Sequence, residues 1–211
     1  MPHIGVDEAG KGDYFGYLVV AAVYVDDQTE SRLKALGVKD SKMLSDAAVK
    51  GLAAKIRKLC MHDIVRISPE KYNMLYAKFK SLNRLLAWGH SRAIENVLDH
   101  VECDVVITDK FGDEKLVKDA LFEKGKKVQL LQRIHAEQDT AVAAASILAR
   151  QEFLATLRML GREVGMVLPK GATHVEDAAR QMVQTHGTES LGFVAKLHFK
   201  ITKRILAQAA K

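Results

Sequence analysis

The stretch VDEAGKGDYFGYLVV, from Val6 to Val20, carries the most informative local pattern in the chain. An apolar run ends in the acid pair Asp7 and Glu8, and a second apolar run follows a glycine-rich segment. Apolar runs separated by glycines are typical of strands joined by a turn, and glycine supplies the positive φ that such a turn needs. The stretch therefore predicts a β-hairpin, with strands over 3–7 and 15–25, and two carboxylates at its mouth.

Strand-like and helical segments alternate along the rest of the chain. The alanine-rich segment TAVAAASILARQEFLATLRML is the strongest helix candidate, and Ser45 is a suitable N-cap for an earlier helix. Further strands are predicted at 62–68, 104–109 and 127–134, and helices at 45–60, 82–100, 113–124, 140–160, 174–186 and 198–209. This order predicts an α/β fold, with a mixed five-stranded sheet flanked by helices. We expect one domain over residues 1–211 with a helical C-terminal part from about 165.

Composition narrows the class of protein. The chain has 211 residues and a formal net charge of +6, which favours a polyanionic partner such as nucleic acid. The spacing of Cys60 and Cys103 matches no metal-binding motif. We therefore expect both to be reduced thiols, as in a cytosolic protein. There is no signal-peptide pattern, and no apolar run approaches about 18 residues. We expect a cytoplasmic monomer that does not enter a membrane.

Acidic residues follow several predicted strands. Asp7 and Glu8 end the first strand, Asp109 ends the strand DVVIT, and Glu137 and Asp139 precede the alanine-rich helix. Ligands of open α/β sheets gather at the carboxyl ends of strands. Converging carboxylates repel one another, and oxygen ligands favour Mg²⁺ or Mn²⁺ as the compensating cation. Two such ions about 4 Å apart can activate water and stabilise the leaving oxygen of a phosphodiester.

Three of these carboxylates also have a purely structural interpretation. Asp7 and Asp109 are suited to turns, and Asp139 is a natural N-cap of the helix that starts at Thr140, which leaves Glu137 the freer ligand. Adjacent residues of a regular strand point to opposite faces. Glu8 can therefore share a site with Asp7 only if the backbone turns there.

Six segments, in order, resemble motifs of the type 2 ribonucleases H. DEAGKGDYFG resembles their first motif, and its GDYFG part resembles the ribonuclease HIII branch in particular. The other segments are VKDSKMLSD (38–46), YNMLYAKFKSLNRLLAWGHSRAI (72–94), VVITDKF (105–111), AVAAASILAR (141–150), and LPKGA with AKLHFK (168–172 and 195–200). The resemblance implies an RNase H-like fold, and hydrolysis of the RNA strand of RNA/DNA hybrids with two Mg²⁺ or Mn²⁺ ions. The products would carry 5′-phosphate and 3′-hydroxyl ends.

The resemblance also implies a catalytic and metal-binding set of Asp7, Glu8, Asp109 and Glu137, with Asp139 as the alternative to Glu137. Asp7 and Asp109 are expected to hold metal ions. Glu8 is expected near the ribose 2′-OH, the group by which proteins distinguish RNA from DNA.

Substrate contacts are expected elsewhere along the chain. The turn Gly10-Lys11-Gly12 stands where type 2 relatives carry a Gly-Arg-Gly turn that supports the 2′-OH contact. Ser41 and Lys42 are candidates for binding backbone phosphate, as are Lys196 and His198. The alternatives are a solvated loop for Lys42 and packing at a helix start for His198.

Two features depart from the HIII pattern, and a third departs from the type 2 enzymes that sense an RNA–DNA junction. The chain begins at the catalytic strand, so we expect no N-terminal domain resembling a TATA-box-binding protein. Tyr17 replaces a common proline, and no tyrosine after Tyr76 corresponds to the residue that senses an RNA–DNA junction in type 2 enzymes. Two other hypotheses remain: an HII-type enzyme that incises at single ribonucleotides in duplex DNA, and a hybrid-binding protein without activity.

Overall fold

A mixed five-stranded sheet organises the computed structural model, which describes residues 1–109 and 114–209. The strands are β1 (His3–Ala9), β2 (Leu18–Val25), β3 (His62–Ile67), β4 (Val105–Asp109) and β5 (Gln129–Arg133), in the order β3-β2-β1-β4-β5. β1 is antiparallel to β2 and parallel to β4, which is parallel to β5. The predicted α/β fold, its mixed sheet and the opening hairpin are confirmed.

The helices of the described residues agree with the predicted segments, with three additions. They are α1 (Asp27–Ala35), α2 (Asp46–Leu59), α3 (Pro69–Phe79), α4 (Leu82–Leu98), α5 (Glu114–Ala120), α6 (Thr140–Glu163), α7 (Glu176–His186), α8 (Leu191–Val194) and α9 (Lys200–Ala209). The sequence analysis did not predict α1, α3 or α8. Lys110 and Phe111 of the segment VVITDKF lie outside the described residues.

Two compact units divide the chain. The first contains Met1–Ala9, Val19–Val65 and Ser81–Gln151, and the second contains Gly10–Leu18, Arg66–Lys80 and Glu152–Lys211. The single domain expected from the sequence stays a prediction. All four predicted catalytic acids belong to the first unit, and the glycine-rich turn belongs to the second.

In the first unit, helices cover both faces of the sheet. α4 packs on β1 and α5, and its residues Ile94 and Val97 join Ile4 and Val6 in one buried cluster. Gly5 points to the other face, where the start of α6 lies so close that a Cβ would be 2.2 Å from the backbone of Ala141. Glycine at this position therefore allows α6 to begin directly against β1.

The second unit combines the glycine-rich segment with the C-terminal helices. α3 packs against α8, and α7 packs against α9. Phe15 forms an isolated bridge with Ala195, and Gly16 adopts a φ of 91°, which is why the second strand begins at Leu18 rather than at residue 15. Within residues 1–109 and 114–209, no helix has the length and apolarity to cross a membrane.

Candidate active site

The ends of β1 and β4 bring two of the predicted acids together. These strands are parallel neighbours, with Val6 opposite Thr108 in the register. Asp7 and Asp109 are the next residue of each strand, so they lie side by side at the carboxyl edge of the sheet. Of the acids predicted to converge at strand ends, these two therefore lie together.

Asp7 has a strongly perturbed environment. Its carboxylate accepts hydrogen bonds from the backbone N–H of Glu8, at 2.8 Å, and from the hydroxyl of Ser146 on α6. Burial raises the pKa of Asp7 to about 7, and the negative charges of Glu8 and Asp109 add to the rise. A cation at this position would remove both the electrostatic repulsion and the cost of burying the charge.

Glu8 points to the opposite face of the sheet. β1 does not turn between the two acids, because Asp7 and Glu8 stand opposite Ala21 and Val20 in a continuous antiparallel ladder. The Glu8 side chain is 3% exposed and accepts a hydrogen bond from Nε2 of His90 at 2.9 Å. The backbone turn that the sequence analysis required for a shared site is therefore not present at this point.

Asp139 caps the N-terminus of α6. Its carboxylate accepts hydrogen bonds from the backbone N–H groups of Ala141 (2.9 Å) and Val142 (3.1 Å), and pairs with Nε2 of His3 at 3.0 Å. Burial alone would raise the pKa of Asp139, but the pairing with His3 and the backbone hydrogen bonds lower it. The predicted N-cap role is confirmed, which supports Glu137 as the candidate fourth acid.

Glu137 lies in a short 3-10 turn, Ala136–Gln138, directly before α6. Its side chain is 24% exposed and meets the His135 ring at 3.3 Å. A hydrogen bond from its own backbone N–H lowers the pKa of Glu137, helped by His135 and by the charge of Lys42. The group therefore remains an ionised oxygen donor at neutral pH.

The donor chemistry of these residues fits a hard divalent cation, since carboxylate oxygens are preferred by Mg²⁺ and Mn²⁺. Among residues 1–109 and 114–209, however, no three His, Cys, Asp or Glu side chains are grouped as a ready-made metal cage. Asp7 and Asp109 are adjacent, whereas Glu8 is engaged by His90 and Glu137 by His135.

The segment DSK contributes one residue to the surface and one to the interior. The hydroxyl of Ser41 is buried and hydrogen-bonded to that of Ser146 at 2.8 Å, and its carbonyl accepts a hydrogen bond from Arg150. The hydroxyl of Ser41 therefore faces α6, and a phosphate contact by Ser41 stays a prediction. Lys42 is exposed and close enough to Glu137 to affect its pKa.

The glycine-rich turn of the second unit has open and crowded positions. Gly10 has a φ of 89°, and a Cβ there would lie 2.2 Å from the carbonyl oxygen of Tyr17. A Cβ on Gly12 would meet nothing within 4 Å, and Lys11 is exposed. The turn therefore needs glycine at its first position and leaves space at Gly12 for an approaching group.

Lys196 and His198 do not have the surface placement expected of phosphate contacts. Lys196 is 0% exposed, and its Nζ donates to the carbonyl oxygens of Asp13 (2.9 Å) and Gly16 (2.7 Å). Burial lowers the pKa of Lys196 to about 7. His198 stacks on Tyr76 with ring centroids 4.5 Å apart, as in the packing alternative. The amine of Lys196 therefore holds the glycine-rich segment instead of facing solvent, and a phosphate contact by Lys196 stays a prediction.

Three polar side chains that support the acids were not predicted from the sequence: His3, His90 and Ser146. His90 could have been found from helical spacing, since it lies four residues after Leu86 and four before Ile94 on the buried face of α4. A histidine on such a face needs buried hydrogen-bond partners. His3 and Ser146 carry no comparable signal.

Comparisons with known proteins identify a matching family model and similar sequences. A family model described as ribonuclease HII matches residues 4–202. Ribonuclease HIII of Protochlamydia amoebophila is 49% identical over 211 residues, which cover 100% of this chain and 70% of that protein. Ribonuclease HIII of Chlamydia felis is 41% identical over 213 residues, which cover 99% and 71%.

Solved structures give the same result. The crystal structure of Bst-RNase HIII in complex with Mn²⁺ superposes with a TM-score of 0.92 at 37% identity, covering 99% of this chain and 70% of that one. The crystal structure of Aquifex aeolicus RNase H3 gives a TM-score of 0.77 at 31% identity, covering 95% and 72%.

Proposed function

The chain belongs to the ribonuclease HII family, and from this premise we propose that it is an HIII-type endonuclease that cuts the RNA strand of RNA/DNA hybrids. Ribonuclease H activity, with Mg²⁺ or Mn²⁺ as the metal, follows from family membership and from the Mn²⁺ complex of a similar HIII enzyme. The HIII assignment is supported by the HIII relatives that match along 99% or more of the chain.

The observation that carries the proposed mechanism is the pairing of Asp7 and Asp109 at adjacent strand ends, with the pKa of Asp7 raised to about 7. We propose that these two carboxylates hold the metal ions and that Glu137 completes the ligand set. Two bound ions would supply a water of lowered pKa and stabilise the departing 3′-oxygen. Glu8 is the proposed partner of the ribose 2′-OH, which gives the preference for RNA.

Substrate binding is proposed to depend on exposed basic and glycine residues. Lys42 is exposed and its charge helps to lower the pKa of Glu137, so a basic side chain near this acid suits a contact to backbone phosphate. The turn Gly10-Lys11-Gly12 combines an exposed lysine with open space at Gly12. Phosphate contacts of this kind make hybrid affinity fall as salt increases.

The test compares a uniform RNA/DNA hybrid with duplex DNA that contains one ribonucleotide, each in Mg²⁺ and in Mn²⁺. We expect Asp7→Asn and Asp109→Asn to lose cleavage and keep hybrid binding, since each removes charge without changing shape. Asp104→Asn is the matched control, because Asp104 directly precedes the opposite end of β4.

Cleavage by Asp7→Asn at the wild-type rate would contradict the proposed site. Comparable incision at the single ribonucleotide would instead assign HII-type specificity. Full hybrid binding with no cleavage by the wild type in either metal would favour a binding protein.

A further inference from the structure

A fully buried histidine joins the ends of the two acid-bearing strands. His90, in α4, is 0% exposed, and its Nε2 lies 2.9 Å from the Glu8 carboxylate of β1. Its Nδ1 lies 3.1 Å from the hydroxyl of Thr108 in β4, which is also buried. We name this set of two hydrogen bonds the His90 bridge.

The bridge lies on a largely apolar face of α4. Most buried side chains of this helix, such as Ile94 and Val97, are apolar and pack against the sheet. A buried polar ring costs free energy unless it is hydrogen-bonded, and both ring nitrogens of His90 find partners here. Those partners adjoin Asp7 and Asp109 in sequence, so the bridge acts on both strand ends at the proposed site.

We propose that His90 is a positioning residue that orients the Glu8 carboxylate and fixes the end of β1 against that of β4, a role that rests on the proposed function. A carboxylate that binds a metal or a ribose hydroxyl is held in place by outer hydrogen bonds, whose loss typically costs about 10–100-fold in metal affinity or activity. Glu8 receives such a bond from His90.

The direction of the hydrogen bond follows from the partners. An ionised carboxylate only accepts, so the proton of the Glu8–His90 bond lies on Nε2. The Thr108 hydroxyl can donate to Nδ1 of a neutral ring or accept from that of a charged one. The bond from Nε2 to Glu8 is therefore compatible with either role of the Thr108 hydroxyl.

Three substitutions separate positioning from simple core packing. Glutamine places its amide nitrogen at about the reach of Nε2, whereas asparagine reaches only as far as Nδ1. We expect His90→Ala and His90→Asn to lower kcat about 10–100-fold with the KM for hybrid changed less than about 2-fold, and His90→Gln to recover most of kcat. His100→Ala is the control, since His100 is exposed just beyond α4.

A second measurement needs neither metal nor substrate. In EDTA, the ¹⁵N spectrum of the imidazole rings should show a slowly exchanging proton on Nε2 of His90. We expect Glu8→Ala to abolish its protection, and His100→Ala to leave it unchanged.

The outcomes distinguish this inference from the proposed function. Three results would overturn the positioning role alone. The first is a folded His90→Gln variant with no more activity than folded His90→Ala. The others are an effect of His90→Ala confined to KM, and an Nε2 proton of His90 that exchanges without protection. Wild-type protein that cleaves no hybrid in Mg²⁺ or Mn²⁺ would overturn the proposed function and this inference with it.

Discussion

Replacing Asp7 by asparagine should stabilise the metal-free protein while it abolishes hydrolysis. Burial and the charges of Glu8 and Asp109 raise the pKa of Asp7 from 3.8 to about 7. In the wild type, the backbone N–H of Glu8 donates a hydrogen bond to the Asp7 carboxylate at 2.8 Å. Asparagine retains a side-chain oxygen that can accept this hydrogen bond. It removes the negative charge, so the folded state no longer carries the cost of ionising this group.

The magnitude follows from the pKa. A rise of about three pKa units corresponds to about 4 kcal/mol at about 1.4 kcal/mol per unit, which is the upper limit of the gain. Because the folded state of Asp7 holds its proton more tightly than the unfolded chain, stability falls as pH rises from about 4 to about 7. The advantage of Asp7→Asn should therefore grow through that range and level off above it.

Urea unfolding in EDTA from pH 4 to pH 8 measures this difference, with Asp104→Asn as the matched control. In thermal melts under the same conditions, each kcal/mol should appear as a rise of about 2–4 °C in Tm for a chain of this length. Adding Mn²⁺ should stabilise the wild type by mass action and leave Asp7→Asn nearly unchanged. A variant less stable than wild type at pH 8 in EDTA, or a difference that does not vary with pH, would refute the reasoning.

Three further predictions concern stability. Gly5→Ala should lower the free energy of unfolding by about 3 kcal/mol or more, because the added Cβ would lie 2.2 Å from the backbone of α6. Gly51→Ala is the control in the same urea assay. Gly51 lies in open space within α2, so this substitution should raise the free energy of unfolding by about 0.5–1 kcal/mol. The hydrogen bond to Asp139 raises the pKa of His3, so its contribution is complete below pH 6 and is lost as pH rises through the folded-state pKa; His3→Gln should therefore destabilise more at pH 6 than at pH 9, and equal losses would contradict the pairing. Burial lowers the pKa of Lys196 to about 7, so wild-type stability should rise between pH 7 and pH 10; Lys196→Met should flatten that rise in a pH series of thermal melts, and an unchanged slope would show that this lysine is not its source.

Periodicity and turn residues were enough to predict the sheet and most helices, but two helices have signals of another kind. α1 has Leu33 as its single buried residue, so it lacks the apolar stripe from which amphipathic helices are predicted. Its signal is the capping box between Asp26 and Thr29. α3 is likewise marked by its start, with Ser68 as N-cap and Pro69 in the first turn.

The candidate site was predictable where it depends on strand ends and unpredictable where it depends on burial. Asp7 and Asp109 follow from the rule that ligands gather at the carboxyl ends of parallel strands. Ser41 and Lys196 have polar side chains that suggest a surface, yet tertiary contacts bury both. The carbonyls that Lys196 contacts are about 180 residues away in sequence, and no local pattern encodes them.

The adjacency of Asp7 and Glu8 explains why helices on both faces of the sheet matter to the proposed chemistry. In a continuous strand these side chains point to opposite faces, and each is held by a different helix: Asp7 by Ser146 of α6 and Glu8 by His90 of α4. Side chains on opposite faces of a sheet can contact one substrate only near the end of their strand. There a substrate can reach both faces. The proposed site therefore requires β1 to end where it does, at Ala9, with both helices in place.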